Sequence, residues 1–448
     1  MDTGYDLRFF VGRRLSEHLR QEIGFFGLVA IIVGLNIGGS LFVLTTVAAG
    51  LAGSALILVQ LVSAVPIILS VPAYAMLSSA MPTTCANYQY AKLFSRPLAV
   101  AAWMVLFIAL PLGMLPLFCV ATAKLVAVLI PAAPVTPTAI VVMCIIYVIN
   151  VRGVRLTTQV QFVGVGILCA ALLTFILGGL PSIQMSNLAL SFPGGAMGFM
   201  GASALLYTLL AGGLFGIEMG DEIRNARKVI PRALIASVVI VLVLYLLIEV
   251  VAIGAVGWEE MSMGTLGDVA AAFLTGIPLG LFVVGGGIMA STTTINMALT
   301  AAGRYVLAFS IDGYIPRAFS QVNERYGTPH VGLTLILVMT VAALAFSPDM
   351  MTLGQMLNFG LLFIVTLVLL ASVWMLRKHP ETYAQSSLKV KPRFMKVTAL
   401  CAVAINIVFM LILAIALKWT FLFFVGAIVI GFVVFYMKQR GLLRSLFS

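Results

Sequence analysis

Two glycine-rich interruptions and one run of hydroxyls are the residues whose types and spacing could do chemistry. The first is Gly34-Leu35-Asn36-Ile37-Gly38-Gly39-Ser40-Leu41-Phe42, near the middle of the first apolar run. The second is Ala211-Gly212-Gly213, followed by Gly216, near the middle of the sixth. The third is Ser291-Thr292-Thr293-Thr294. A helix that unwinds in mid-run releases N–H groups aimed along the axis of its next half, and these amides with the helix dipole bind anions. A carboxylate is therefore expected at the amides of Gly38, Gly39 and Ser40, with the Ser40 hydroxyl assisting. The carbonyls of Ile37, Leu210 and Ala211 are expected to accept an ammonium group. Such a site reads a small zwitterion with backbone groups and needs no formal charge, which is expensive in an apolar interior. Gly212 and Gly213 leave room beside it, with Leu210, Leu214, Phe215 and Tyr207 as apolar walls. Tyr207 and Phe215 serve equally well as gating or as packing aromatics. The competing reading of each glycine cluster is close helix packing.

These residues sit on a chain that is 62% hydrophobic and 9% charged, the composition of a polytopic membrane protein. Twelve stretches are long enough to cross a bilayer, taking about 20 residues per crossing. Their approximate limits are 24–47, 53–80, 98–130, 137–150, 158–180, 199–220, 232–257, 274–304, 330–347, 353–376, 397–417 and 420–437. Of 26 Lys and Arg residues, all but Lys124 and Lys418 fall in one alternate set of loops and tails. The opposite loops carry Glu259, Glu260, Asp268 and Asp349. Basic loops stay cytoplasmic during insertion, so both termini are expected inside the cell membrane and the number of spans is even. The two glycine interruptions take equivalent places in two five-helix halves that run in opposite directions, the pattern of an inverted-repeat transporter. The expected organisation is a cytoplasmic segment 1–22, helices one to five in 23–180, helices six to ten in 197–376, helices eleven and twelve in 395–437, and a tail 438–448. Arg8–Gln21 suits either a short interfacial helix or a solvated arm.

Several classes are set aside. The excess of 11 positive charges is spread over many short loops, which suits orientation on an anionic leaflet and not nucleic acid. The cysteines Cys85, Cys119, Cys144, Cys169 and Cys401 lack metal-ligand spacing and read as small apolar residues. His18, His330 and His379 all fall in cytoplasmic segments. No cleavable signal, lipidation motif or phosphate-binding glycine loop is expected. An embedded enzyme would need convergent His, Asp, Glu or Cys groups at membrane depth, and a channel a continuous polar lining; neither pattern occurs.

Four local patterns resemble the amino acid–polyamine–organocation (APC) superfamily of amino acid permeases. Val33-Gly34 through Ile37-Gly38-Gly39-Ser40-Leu41-Phe42 resembles its first-helix glycine motif, with Gly39 and Ser40 in swapped order. Glu222-Ile223-Arg224-Asn225-Ala226-Arg227-Lys228-Val229-Ile230-Pro231 resembles the loop after helix six, with Ala226 in place of a common proline. Asn296, Arg304, Asp312-Gly313 and Ile315-Pro316 resemble the end of helix eight and its loop. Asn150-Val151-Arg152-Gly153-Val154 resembles the loop before helix five. Two departures stand out: Cys85-Ala86 where two glycines are usual, and Leu210-Ala211-Gly212-Gly213-Leu214 where an aromatic–serine–glycine–phenylalanine–glutamate run is usual.

The resemblance implies an all-α fold of twelve transmembrane helices, a LeuT-like five-plus-five inverted repeat with discontinuous helices one and six and two peripheral helices. It implies a secondary transporter with no enzymatic activity, moving a neutral amino acid by alternating access; the lipid bilayer is its setting and no obligate protein partner follows. It also points to sodium as coupling ion, held by the carbonyls of Gly34 and Ile37 and the hydroxyls of Thr293 and Thr294. The alternative for those hydroxyls is bonding back to their own helix. Some relatives replace the ion with a lysine on helix five; here Leu168 stands near that place, against this form of proton coupling. An exchanger, a proton-coupled permease and a non-transporting sensor of the same fold remain open. Polyamines would need acidic groups facing the breaks, which supply none. Lys124 and Glu249 lie toward the outer ends of helices three and seven, suited to reaching the interface or to pairing. Glu218 reads as an inner gate residue.

Overall fold

The computed structural model describes residues 23–83, 86–152, 154–218, 223–346, 349–378, 380, 383, 386–387 and 390–441, and for 154–163 the backbone alone. The Arg8–Gln21 segment, Cys85, His18 and His379 lie outside the described residues. Among the described residues every regular element is helical, and one isolated bridge pairs Ile23 with Ile223. Among the described residues nine helical stretches are long and apolar enough to cross a membrane, and the apolar helices Phe25–Asn36 and His330–Ala345 are shorter.

The first apolar run is two helices, α1 (Phe25–Asn36) and α2 (Gly39–Ala52). After the turn Gly53–Ala55 comes α3 (Leu56–Ala80), and then a short α4 (Ala86–Phe94). The next run joins α5 (Arg96–Ala109) to α6 (Leu115–Leu129) through a wide π turn at Leu110–Met114. Two regular helices follow, α7 (Val135–Arg152) and α8 (Val154–Gly179). The sixth run starts as α9 (Gly195–Ala211) and tightens to a 3₁₀ helix over Gly212–Glu218. After α10 (Ala226–Val256) come the short helices α11 (Trp258–Ser262), α12 (Leu266–Ala271) and α13 (Gly276–Gly280). A second π stretch, Leu281–Ile288, leads into α14 (Met289–Ile311). The chain ends with α15 (His330–Ala345), α16 (Met350–Lys378), α17 (Pro392–Leu417) and α18 (Phe421–Gln439).

The outer surface of the bundle is apolar in stripes. On α10, Ile235, Val239, Val243 and Leu247 are all exposed at a spacing of four, one face of a helix. Leu422, Val425, Val429 and Val433, at spacings of three and four, form a like stripe on α18. Water would not leave such stripes bare. Inside, α2 and the end of α1 from Ile31 to Asn36 are almost wholly buried, so the break lies within the packed bundle.

Candidate functional site

The break in the first run follows from where its amides go. Ile37 N still reaches Val33 O at 2.8 Å, but Gly38 N turns to Asn36 O at 2.9 Å. Leu41 N takes Gly38 O at 3.2 Å. The carbonyls of Gly34 and Ile37 thereby lose the amides that a continuous helix would supply. The amides of Gly39 and Ser40 precede the first bond of α2 and take no backbone carbonyl among the described residues. Two freed acceptors and two freed donors thus converge on one buried turn. Ile37 is fully buried and Ser40 nearly so.

Asn36 joins this break to the second one. Its Oδ1 accepts from Gly213 N at 2.6 Å, and its carbonyl accepts from the Tyr245 hydroxyl at 2.7 Å. The same hydroxyl reaches Leu209 O at 3.2 Å, just before α9 ends. Asn36 Nδ2 is left as a buried, unpaired donor. The glycines of the sixth run allow the close approach. A Cβ on Gly212 would lie 2.6 Å from Leu35 O, and one on Gly216 would lie 2.4 Å from Ile32 Cγ1. The space that Gly212 and Gly213 make is taken up by the α1 backbone and Asn36. Among the expected ammonium acceptors, the Leu210 carbonyl shares the Gly212 amide with Thr208.

The hydroxyl run of α14 lies against the first break. A Cβ on Gly38 would sit 2.6 Å from Thr294 Oγ1, and one on Gly39 would sit 2.2 Å from Ser291 Oγ. Thr293 Oγ1 donates to Met289 O and Thr294 Oγ1 to Ala290 O, both at 2.8 Å. Each hydroxyl proton is thus given to its own helix, and each oxygen keeps a lone pair free. Ser291 Oγ has no partner and is fully buried.

Toward the loops with Ser262, Gly264 and Asp349, a cavity of about 390 Å³ opens; Lys124, Asp349 and Val43 of α2 are among its lining residues. Val43 is three residues beyond Ser40, about 4.5 Å along the helix axis. Away from that cavity, polar groups of α3, α4 and the sixth run bond to one another. Glu218 Oε1 accepts from Asn87 N at 3.1 Å and Asn87 Nδ2 at 2.7 Å, and Asn87 Oδ1 accepts from the Tyr74 hydroxyl at 2.8 Å. Beside them Lys92 pairs with Asp312 at 3.0 Å. The stacked rings of Trp103 and Phe309 fill the space behind, with centroids 3.6 Å apart.

A sequence model described as amino acid permease matches residues 23–442. The chain belongs to this family. The permease is therefore a multi-pass membrane protein of the APC superfamily and a transporter, not an enzyme. It is 27% identical to the methylthioribose transporter of Bacillus subtilis over 95% of both chains. It is 24% identical to the branched-chain amino acid permease BcaP of the same organism, over 95% of this chain and 94% of the relative. Against the vacuolar cationic amino acid transporter 4 of Arabidopsis thaliana it is 25% identical over 79% of this chain and 62% of the relative.

In this permease the remaining expected site residues are spread out. Tyr207 is fully buried and packs edge-on against Phe409 of α17, with ring centroids 6.4 Å apart. Leu210, Ala211 and Leu214 are buried and Phe215 is half-buried. Lys124 is exposed, whereas Glu249 is fully buried with both carboxyl oxygens unpartnered. Glu249 therefore neither reaches the interface nor pairs with Lys124. Sequence reasoning named Asn36 and Ser291 within their runs but gave neither a contact of its own, and it passed over Tyr245, which gave no sign. Among the described residues no cluster of three or more His, Cys, Asp or Glu could hold a metal.

Proposed function

We propose that the permease carries a neutral α-amino acid across the cytoplasmic membrane by alternating access, with both termini inside. One observation carries the reading: the buried break around Ile37–Ser40, where the amides of Gly39 and Ser40 and the carbonyls of Gly34 and Ile37 lack their helical partners. The amides of Gly39 and Ser40 take the carboxylate and the Ser40 hydroxyl assists, whereas the Gly38 amide, expected to join them, is spent on Asn36 O. The carbonyls of Ile37 and Ala211 take the ammonium group, with Leu210 at their margin. Tyr207, Leu210 and Phe215 set the apolar surroundings, and Gly212 acts by letting α1 and the sixth run touch. The absence of any charged side chain at the turn favours a neutral substrate.

Matched irregularities support a twelve-helix, five-plus-five inverted repeat. The first helix of each half departs from α geometry, opening at Ile37–Gly38 and tightening to 3₁₀ over Gly212–Glu218, and the third helix of each half carries a π turn, at Leu110–Met114 and Leu281–Ile288. The cavity beside Lys124 is then the outer vestibule, and the Tyr74–Asn87–Glu218 chain is the closed inner gate. Sodium fits the oxygens of Gly34, Ile37, Thr293 and Thr294. Both carbonyls are released by the break, both hydroxyls have free lone pairs, and oxygen ligands suit a hard cation.

Counterflow in proteoliposomes tests the reading. Labelled neutral, cationic and acidic amino acids are offered with and without sodium, and methylthioribose serves as competitor. Exchange of neutral amino acids is expected. A flat response to every amino acid sinks the reading, and exchange blocked only by methylthioribose reassigns the substrate. Binding without flux would mark a sensor.

A further inference from the structure

The described acidic side chains are accounted for with one exception. Asp268 completes a capping box with Thr265, Asp349 caps α16 through Thr352, Asp312 pairs with Lys92, and Glu218 accepts from Asn87. Glu259, Glu260 and Glu324 are exposed. Glu249 alone is fully buried with neither carboxyl oxygen partnered. It lies one turn from Tyr245 on the same face of α10. Tyr245 is the residue whose hydroxyl ties the carbonyl of Asn36 to that of Leu209. Glu249 therefore stands about 6 Å outward along α10 from the junction of the two interrupted helices.

An isolated carboxylate in apolar surroundings needs a counter-charge, a set of donors or a proton. The elements packed against α10 include α1, α3, α8, α9, α11, α12 and the Gly212–Glu218 segment. Their ionisable side chains are Tyr74, Cys169, Tyr207, Glu218, Glu259, Glu260 and Asp268, besides Tyr245 on α10 itself, and none hydrogen-bonds to Glu249. Their sole basic residue is Arg155, at the start of α8. Gly179, at the far end of that helix, packs on Val251, so Arg155 is about 36 Å away along the helix. On α10 the basic residue nearest in sequence, Arg232, is 17 residues back, about 26 Å. A metal ion would require several oxygen ligands. Neither Glu249 oxygen has a hydrogen-bond partner, and among the described residues no group of three or more His, Cys, Asp or Glu forms around it. A proton needs no further ligand.

We propose that Glu249 is a proton-binding site that couples amino acid uptake to inward proton movement. The step balances simply. The carboxylate takes one proton from outer water when the permease faces out, and returns it to inner water when the permease faces in. This rests on the carrier reading and adds to it a driving ion that the break itself does not bind.

The test uses the full permease in sodium-free proteoliposomes, alkaline inside, with the membrane potential clamped. Accumulation driven by the pH gradient is compared with counterflow for wild type and Glu249→Gln. Wild type is expected to accumulate its amino acid above equilibrium. Glu249→Gln is expected to exchange within about threefold of wild type while losing accumulation and the pH dependence of uptake. Loss of counterflow in wild type removes the carrier reading and this site with it. Wild-type counterflow with no response to the pH gradient, or undiminished accumulation by Glu249→Gln, overturns the proton site alone. If Glu249→Gln loses counterflow too, Glu249→Asp decides. Gradient-driven accumulation by Glu249→Asp supports the site; its absence overturns it.

Discussion

Gly38→Ala tests the contact on which the proposed site depends. The backbone at Gly38 is extended, with φ −100° and ψ −172°, so alanine costs nothing in torsion. The cost is steric. The new Cβ would meet Thr294 Oγ1 at 2.6 Å, where ordinary contact begins at 3.4 Å. Relief requires α2 and α14 to separate by about 0.8 Å. Otherwise Thr294 must rotate, forfeiting its bond to Ala290 O, worth about 1 kcal/mol. Overpacking in a close-packed core costs about 1–3 kcal/mol, which weakens substrate binding about 5- to 150-fold if the substrate needs the unshifted turn. Thr294→Ala removes both the 2.6 Å and the 3.3 Å contacts and leaves the Thr294 Cβ at 3.4 Å. The double variant is therefore expected to recover amino acid affinity, measured as half-saturation of counterflow, even where sodium stimulation is lost. Gly166→Ala, which would meet nothing within 4 Å, is the control. Wild-type affinity in Gly38→Ala, or no recovery in the double variant, would refute the packing of the turn on α14.

Tyr245→Phe leaves Leu209 O without its donor and is expected to destabilise the permease by about 1–3 kcal/mol, read as a lower unfolding temperature in detergent. An unchanged temperature would detach Tyr245 from the two breaks. Glu218→Gln weakens the charge-assisted bonds to Asn87 and is expected to favour inward opening, so that a cysteine at Val33 reacts faster with a water-soluble maleimide from the inner side; equal rates would count against Glu218 as a gate. Thr293→Ala and Thr294→Ala are each expected to abolish sodium stimulation while sodium-free counterflow persists, and stimulation surviving both changes would remove the proposed ion.

Long apolar runs were legible because a bilayer crossing imposes a length and a solvent on every helix. The break at Ile37–Gly38 was legible for a local reason. Asn36 and three glycines within six residues weaken a helix whatever surrounds it. The sixth run was harder to read, because Gly212 and Gly213 answer to α1 and not to their own helix; the chain there tightens and does not open. The short helix α4 escaped notice since Asn87, Tyr88 and Lys92 make no apolar period. They are held by Glu218 and Asp312, more than a hundred residues away. The depth of Glu249 is likewise a matter of which way α10 turns, and a hydropathy window cannot see rotation.

The wide turns at Leu110–Met114 and Leu281–Ile288 have a mechanical consequence. In each, an amide reaches five residues back, Leu115 N to Leu110 O and Met289 N to Val284 O. Each helix thereby stores about one residue of slack beyond the 3.6 of an ordinary turn. Drawing that residue back into regular pitch would re-phase everything past it by about 100°. In the second case what lies past it is the Ser291–Thr294 edge. The scaffold thus has a way to swap which side chains meet the broken helix by twisting in place, with no swing of the whole rod.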